Sequence, residues 1–351
     1  MRLIELKAEL QSCGAMAGGL PSREGGAGPS DGTTLFIGDV VVNVPVLGAF
    51  ATRSRFSIEE SGGEFMLFDR GVELTRVEPA CEPGFYSLDT PGGVSFRKLA
   101  LRHGRDAIGT TVVQTCVHGS NACRFCSIDS SAAAGATLFE KDPDEIGRVA
   151  AAAEEEGYRH VILTTGTTRS AGRGIEKLER CASAVRRTTF MKIHVQFEPP
   201  DDAAWIEEAG RSADSCAINI ESFDPGVRAS MTPGKAKTPT DDYVAAWKKA
   251  VDVFGPGNVT CFIVVGLGEE DASVEEGVKL LASLGVYPFL LPLRPLRGSR
   301  LRDVEPPPVE RMMRLYESCA VPVADAGLKA ANCAAGCVRC AACSAFPDIT
   351  G

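Results

Sequence analysis

Residues 192–220 read KIHVQFEPPDDAAWIEEAGRSADSCAINI, with two short apolar runs on either side of a helical segment. The runs KIHVQF and SCAINI have the length and apolar content of buried strands. The segment between them, 201–209, has the period of a helix. A strand, a helix and a second strand in succession indicate a β-α-β unit with parallel strands.

The same unit repeats in both directions along the chain. Further strands are predicted at 110–115, 160–165, 259–265 and 287–293, and further helices at 142–156, 174–187, 241–254, 272–283 and 309–320. Six successive units predict an α/β fold in which a parallel sheet curves into a partial (β/α)6 barrel of TIM type. A flat, doubly wound sheet is the alternative, because the pattern alone does not decide closure.

The flanking segments differ from the repeat. Residues 1–105 contain short β-like runs broken by glycine and proline, which predicts a β-rich N-terminal domain. The barrel is expected over 106–300. Residues 301–351 begin with a helix and end in small residues and cysteine, which predicts a cysteine-rich tail.

Composition excludes several classes of protein. The 351 residues are 44% hydrophobic and contain no apolar run of the roughly 18 residues that a membrane span needs. A net charge of −9 argues against a nucleic-acid partner. With 13 cysteines and no secretory signal, the chain is expected in the reducing cytoplasm, where clustered cysteines more often bind metal than form disulfides.

The first cysteine group is Cys116, Cys123 and Cys126, which form C-x6-C-x2-C directly after the first barrel strand. Barrel enzymes place their chemistry at this end of the strands. Three thiolates suit three corners of a 4Fe–4S cluster and leave one iron open. A zinc site with His118 as the fourth ligand is the alternative.

The tail holds a second group, Cys333, Cys337, Cys340 and Cys343. Four cysteines within eleven residues predict an auxiliary iron–sulfur cluster. A four-cysteine zinc site or an untethered reactive tail are the alternatives. One of the four thiols could be replaced by substrate, or Cys319 could join them.

Polar side chains alternate along the third barrel strand. The period of two places His194, Gln196 and Glu198 on one face, which in a barrel would line the interior. Asn219 and Glu221 share a face on the next strand by the same rule. The alternative is that these residues are solvated at the ends of open strands.

The cysteine motif, with Phe125 before its third cysteine, resembles that of the radical S-adenosylmethionine (SAM) superfamily, although the first gap has six residues where three are usual. LTTGT at 163–167 resembles the family's turn after the second strand. NIESFDPGVRASMTPGKAKTPTDDY at 219–243 is similar to lipoyl and biotin synthases, and CFIVVGLGEE at 261–270 resembles the fifth-strand motif. The cysteine-rich tail resembles a family of radical SAM proteins encoded beside nitrilases more than it resembles lipoyl or biotin synthases.

The resemblance implies residues for each cofactor. Cys116, Cys123 and Cys126 would hold the 4Fe–4S cluster. The implied SAM contacts are Phe125, Thr164, Thr165, Gly166, Glu198, Asn219, Glu221, Ser222, Arg228, Gly266 and Gly268. Candidate substrate contacts inside the barrel are His194, Gln196 and Arg294, the last as an anchor for a carboxylate.

The resemblance also implies the activity. The protein would cleave SAM reductively to a 5′-deoxyadenosyl radical, with an electron from a flavodoxin- or ferredoxin-type donor, and abstract hydrogen from a small-molecule substrate. The tail cluster would give sulfur to the substrate, or would accept an electron or anchor the substrate without sulfur transfer. The alternative classes are a non-catalytic metal-binding or partner-docking protein that keeps the barrel, and a zinc hydrolase.

Overall fold

The computed structural model describes residues 2–20 and 32–351. The first helix, α1 (Leu3–Cys13), packs Leu6 and Leu10 on an N-terminal sheet. The strands of this sheet are β1 (Met16–Ala17), β2 (Thr33–Ile37), β3 (Val40–Val44), β4 (Phe56–Ser61), β5 (Glu64–Asp69) and β6 (Val72–Pro79). They lie in the order β1-β4-β5-β6-β2-β3, and all the pairings are antiparallel except that of β1 with β4.

The second sheet has seven strands in sequential order. They are β7 (Leu101–His103), β8 (Ala107–Thr111), β9 (His160–Thr164), β10 (Lys192–Phe197), β11 (Ser215–Ile218), β12 (Val259–Val265) and β13 (Tyr287–Pro292). The last six are mutually parallel, and β7 joins β8 as an antiparallel edge. The predicted partial (β/α)6 barrel is therefore confirmed. The expected domain boundary near residue 105 falls inside the hairpin of β7 and β8.

Helices follow the barrel strands as the repeat predicted. The described helices after α1 are α2 (Phe96–Leu99), α3 (Ile128–Ala133), α4 (Pro143–Glu155), α5 (Ile175–Thr188), α6 (Ala204–Gly210), α7 (Pro225–Met231), α8 (Thr240–Phe254), α9 (Asp271–Ser283), α10 (Val309–Asp325), α11 (Cys337–Cys340) and α12 (Phe346–Thr350). None of those described combines the length and apolarity needed to span a membrane.

The first barrel strand begins and ends earlier than predicted, at 107–111 instead of 110–115. After Thr111 the backbone also pairs with the loop before α4, while Val112 N–H still donates to Thr164 O of β9 at 2.8 Å. Lys141 N–H donates to Val112 O at 3.0 Å, and Gln114 N–H donates to Phe139 O at 2.7 Å. The apolar run alone could not reveal this additional pairing.

The N-terminal sheet lies against the open side of the partial barrel. Val41 of β3 packs in one small core cluster with Ala107 of β8 and Ile162 of β9. Beyond the other edge strand, β13, Arg294 donates to the backbone oxygen of Asn43 on β3 at 2.9 Å. Strand β3 therefore contacts both sides of the gap that six strands leave in a barrel.

Candidate active site

The three cysteines of the first group lie in the loop between β8 and α3, and all three line a pocket at the carboxyl ends of the parallel strands. Cys116, Cys123 and Cys126 are free thiols and line this pocket. Burial raises the pKa of Cys126 to about 11 and that of Cys123 further. Among the described residues, no three or more His, Cys, Asp or Glu side chains are already gathered closely enough to hold a metal ion. The thiols share the pocket without forming a closed ligand set.

The pocket also collects most of the residues implied as SAM contacts. Its full lining is Cys116, His118, Ala122, Cys123, Phe125, Cys126, Ile128, Thr164, Thr165, Gly166, Thr167, Gln196, Phe197, Glu198, Asn219, Glu221 and Lys235. The ends of strands β9, β10 and β11, the loop that follows β11 and the cysteine loop contribute to it. Side chains far apart in the sequence meet here because parallel strands end at one edge of the sheet.

The turn after β9 is joined to the cysteine loop by its backbone. Gly166 N–H donates to Val113 O at 2.8 Å, and Val117 N–H donates to Thr167 O at 2.8 Å. A Cβ on Gly166 would lie 1.9 Å from Thr115 O. Glycine is needed because the loop that carries Cys116 passes directly over this residue.

Glu198 follows β10, and its carboxylate has two hydrogen-bond partners. Its carboxylate accepts from Thr167 Oγ1 at 2.7 Å and pairs with His118 Nε2 at 3.0 Å. Burial opposes ionisation, but His118, Lys235 and Thr167 outweigh it, so the pKa of Glu198 lies below its usual range. His118 is therefore engaged by a carboxylate, which does not support the zinc alternative that gave it a ligand role.

Lys235 is a pocket residue that the sequence analysis missed. Its ammonium donates to Glu221 Oε1 at 2.6 Å and to Asn219 O at 3.0 Å. Burial alone would lower the pKa of Lys235, but Glu221 and the Cys123 thiol raise it well above its usual value. The segment that resembles lipoyl synthases contains two lysines, Lys235 and Lys237, and its pattern does not tell which of them reaches the pocket.

Glu221 has a left-handed backbone, with φ of 71°. A residue other than glycine in this conformation costs about 1–3 kcal/mol and is frequent at functional sites. The conformation is held because Glu221 N–H donates to Phe262 O at 3.1 Å and Val264 N–H donates to Glu221 O at 2.9 Å. The strained backbone directs the carboxylate towards Lys235 and the pocket.

Several residues expected to contact SAM do not line this pocket. Ser222 is buried and accepts from Asp224 N–H at 3.2 Å, in the turn that starts α7. Arg228 stacks on the ring of Tyr243 and donates to the backbone oxygens of Lys235 and Thr238, at 3.2 and 2.7 Å. Arg228 therefore holds the loop that presents Lys235.

The fifth-strand motif lies beside the pocket. The N–H groups of Gly266 and Leu267 both donate to the Glu269 carboxylate at 2.8 Å, and Gly268 follows with φ of 108°. Leu267 belongs to a small apolar cluster against which Phe125 packs. The motif thus meets the cysteine loop through Phe125.

Arg294, predicted as an anchor for a substrate carboxylate, contacts the N-terminal sheet. Its guanidinium donates to both the side-chain and the backbone oxygen of Asn43 in the N-terminal sheet. Position after a strand suggested a site residue, but the partner lies more than 250 positions earlier in the chain, which no local pattern reveals.

The cysteine-rich tail, residues 328–351, docks at the opposite end of the barrel. Ala334 N–H donates to Asn258 Oδ1 at 3.0 Å, Ser215 Oγ donates to Ala335 O at 3.2 Å, and Gly336 N–H donates to His160 Nδ1 at 3.3 Å. His160 and Ser215 are the first residues of β9 and β11, and Asn258 directly precedes β12. The tail therefore closes the barrel at the amino ends of its strands.

Gln196 connects the tail to the pocket. Its side chain lines the pocket, and its Nε2 lies 3.6 Å from the Sγ of Cys337. His194 lies one step deeper on the same face of β10 and is fully buried. His194 and Glu198 are buried and Gln196 is half-buried, so the stripe is not solvated at open strand ends.

The protonation of His194 follows from its neighbours. Ser215 gives its single hydroxyl hydrogen to Ala335 O, so His194 Nδ1, 2.8 Å away, must donate to Ser215 Oγ. Burial lowers the pKa of His194 to about 3, so the ring is neutral. Its Nε2 is then a buried acceptor without a hydrogen-bond partner in the described part of the chain.

Three of the four tail cysteines interact with one another, although in the described residues they are not gathered closely enough to hold a metal ion. Cys337 is half-buried and interacts electrostatically with Cys340 and Cys343, and to a lesser degree with Cys333. The thiol of Cys333 instead donates to Ala335 O at 3.1 Å and lies near Cys216. Cys319, considered as an additional member, is buried on α10 among charged residues of α9.

Comparison with known proteins places the fold and the site in a family. The radical SAM superfamily model matches residues 111–281. Lipoyl synthase of Anaeromyxobacter dehalogenans (strain 2CP-C) is 30% identical over 237 residues, which cover 59% of this chain and 76% of the relative. Bacteriochlorophyllide c C-7(1)-hydroxylase of Chlorobaculum limnaeum is 24% identical over 290 residues, 76% of this chain and 72% of the relative.

A solved radical SAM methyltransferase from Sphaerobacter thermophilus is 16% identical, with a TM-score of 0.49 and coverage of 78% of this chain and 75% of that one. The chain belongs to the radical SAM superfamily and is an enzyme. The family implies a 4Fe–4S cluster and SAM as cofactors.

The close approach at Gly166 leads to a first prediction. Gly166→Ala should displace the loop at Thr115 and Cys116, because the new Cβ would overlap the Thr115 carbonyl. We expect 5′-deoxyadenosine formation to fall by about 10²-fold, the cost of misplacing a reacting group by about 1 Å. Gly18→Ala, where a Cβ meets nothing within 4 Å, is the control. Wild-type activity of Gly166→Ala would contradict the role of this contact.

Proposed function

We propose that this enzyme acts on a small molecule held inside the barrel, between a SAM-binding pocket at the carboxyl ends of the strands and an auxiliary iron–sulfur cluster on the tail. The observation that supports this most strongly is Gln196, which lines the pocket and contacts Cys337. Successive same-face residues on a strand are about 7 Å apart. Gln196 and Glu198 thus span a depth that suits a small organic substrate.

Cys116, Cys123 and Cys126 would hold the 4Fe–4S cluster, since soft thiolates are its usual ligands. When bound, the cluster and SAM supply one-electron cleavage of a carbon–sulfur bond, which yields a 5′-deoxyadenosyl radical able to abstract hydrogen. The pocket walls that would hold SAM are Phe125, Thr164, Thr165, Gly166, Glu198, Asn219 and Glu221. A flavodoxin- or ferredoxin-type protein would supply the electron.

The chain's own polar groups would orient SAM. Lys235 fixes Glu221, and His118 and Thr167 fix Glu198, so two ionised carboxylates face the same enclosed space. Ionised carboxylates accept hydrogen bonds from hydroxyl and ammonium groups, both of which SAM carries. Deeper in the barrel, the unpaired Nε2 of His194 and the amide of Gln196 would contact the substrate.

Cys337, Cys340 and Cys343 would hold the auxiliary cluster. The burial of Cys340 and the electrostatic interaction among the three thiols support this role, and the different environment of Cys333 makes it the ligand most easily exchanged for a substrate atom. In one outcome this cluster gives sulfur to the substrate, as the similarity to a lipoyl synthase favours. In the other it accepts an electron or anchors the substrate, and the product contains no added sulfur.

Metal analysis and isotope labelling test the proposal. Anaerobically reconstituted protein should bind about eight iron atoms and equal sulfide, and the variant with Cys337, Cys340 and Cys343 replaced by alanine should bind about four. After reconstitution with heavy-isotope sulfide, incubation with SAM, dithionite and a metabolite extract should give a labelled product if sulfur is inserted. Repeated turnover without label would favour the second outcome. A colourless protein with zinc and no iron would refute the proposal.

A further inference from the structure

Lys7 is a charged residue buried completely inside the protein. It lies on α1, far outside the segment matched by the family model, and its ammonium pairs with Asp348 Oδ2 of the tail at 2.6 Å. Lys7 is 0% exposed, whereas Asp348 is 22% exposed. Helix α1 thus places a charged side chain in the buried region between the N-terminal domain and the tail.

The same face of α1 is aligned with the tail cysteines. Gln11, one turn after Lys7, donates through Nε2 to the carbonyl of Ala342 at 3.0 Å. Asn43 N–H donates to this carbonyl as well, at 2.8 Å. Ala342 lies between Cys340 and Cys343, and both thiols are within electrostatic range of the Lys7 ammonium. The N-terminal domain therefore forms one wall of the tail cysteine site.

A buried ammonium needs compensation, because removing an ion from water costs several kcal/mol even after the protein relaxes. A methionine would fill similar space without this cost. Asp348 is partly hydrated, so its charge is screened more than that of Lys7. Two further neighbours that can carry negative charge are Cys340 and Cys343. Thiolates that ligate an iron–sulfur cluster would supply that charge.

We propose that Lys7 is a positioning residue of the auxiliary cluster, a buried counter-charge that raises the reduction potential of the cluster held by Cys337, Cys340 and Cys343. The inference rests on the proposed function. One-electron reduction adds a negative charge to the cluster, and a fixed cation nearby stabilises that reduced form relative to the oxidised one. The N-terminal domain would thereby contribute to the chemistry inside the barrel.

A redox titration of the full chain tests this role. The parent variant has Cys116, Cys123 and Cys126 replaced by alanine, so that only the tail cluster is observed by electron paramagnetic resonance. Lys7→Met in this background should make reduction at least tenfold less favourable, a shift of about 59 mV to lower potential. Lys7→Arg, which keeps the charge, should stay near the parent. Gln11→Leu, which removes a contact of α1 with the tail but no charge, is the matched control.

The outcomes separate an effect of the Lys7 charge from a structural effect of α1. An unchanged potential in Lys7→Met, or an equal shift in Gln11→Leu, would show that α1 acts only structurally and would overturn the inference. If Lys7→Met does not retain the cluster, Lys7→Gln is titrated against the same criteria. A parent variant without iron would overturn the auxiliary cluster itself, and with it this inference. Iron counting thus separates failure of the proposed function from failure of the role of Lys7.

Discussion

Cys123→Ala should abolish the formation of 5′-deoxyadenosine when the reduced protein is mixed with SAM. Cys123 lines the pocket and interacts electrostatically with Lys235 and Cys126, so alanine removes a thiolate from the proposed cluster site. We expect a loss of at least about 10³-fold, since activity depends on the cofactor being held in place. Chromatography of the nucleoside products under anaerobic conditions measures the effect.

Cys340→Ala is the matched comparison, because it removes a thiol at the opposite end of the barrel. In this variant SAM cleavage should continue without coupling to substrate, because none of the tail cysteines lines the pocket. If Cys123→Ala retained wild-type SAM cleavage, the assignment of the first cysteine group would be wrong. Equal loss in both variants would indicate that the two groups form one functional unit.

Lys235→Met should weaken SAM binding by about tenfold to a hundredfold, which corresponds to about 1.4–2.8 kcal/mol. The substitution leaves the Glu221 carboxylate buried without its cation, and an uncompensated buried charge is strongly unfavourable. Part of the ordering of Glu221 would be lost, and with it a hydrogen-bond acceptor in the pocket. Equilibrium dialysis of SAM with the reconstituted protein gives the dissociation constant.

Two further variants separate local electrostatics from general damage. Lys237→Met changes an exposed lysine of the same short turn and should leave SAM affinity unchanged. Adding Glu221→Gln to Lys235→Met should restore part of the lost thermal stability, because it removes the unpaired charge. Wild-type affinity in Lys235→Met would contradict a role for Lys235 in the pocket.

Much of the fold could be predicted from local pattern. The strands at 192–197 and 259–265 begin and end where the apolar runs do, because these strands are buried on both sides of a parallel sheet. The strand predicted at 110–115 was wrong in its bounds, since residues 112–114 pair with the loop before α4 as well as with the end of β9. That loop lies some 25 positions along the chain and has no period to identify it.

The site was predictable where residues sit on strands or directly after them. The period of two placed Gln196 and Glu198 correctly inside the barrel. Lys235 was missed because it reaches the pocket only after the loop following β11 folds back. Arg294 was predicted to contact the substrate from its position after a strand. Its contact with Asn43 could not be predicted, because Asn43 belongs to another sheet. Such contacts depend on docking between distant segments.

The ion pair of Lys7 with Asp348 has a consequence for how the protein is made. The two residues are separated by 341 positions, so the ribosome completes nearly the whole barrel before α1 can gain its partner. Chains with such distant contacts fold slowly. Until the tail docks, the amino ends of the strands that contact Ala334, Ala335 and Gly336 are uncovered.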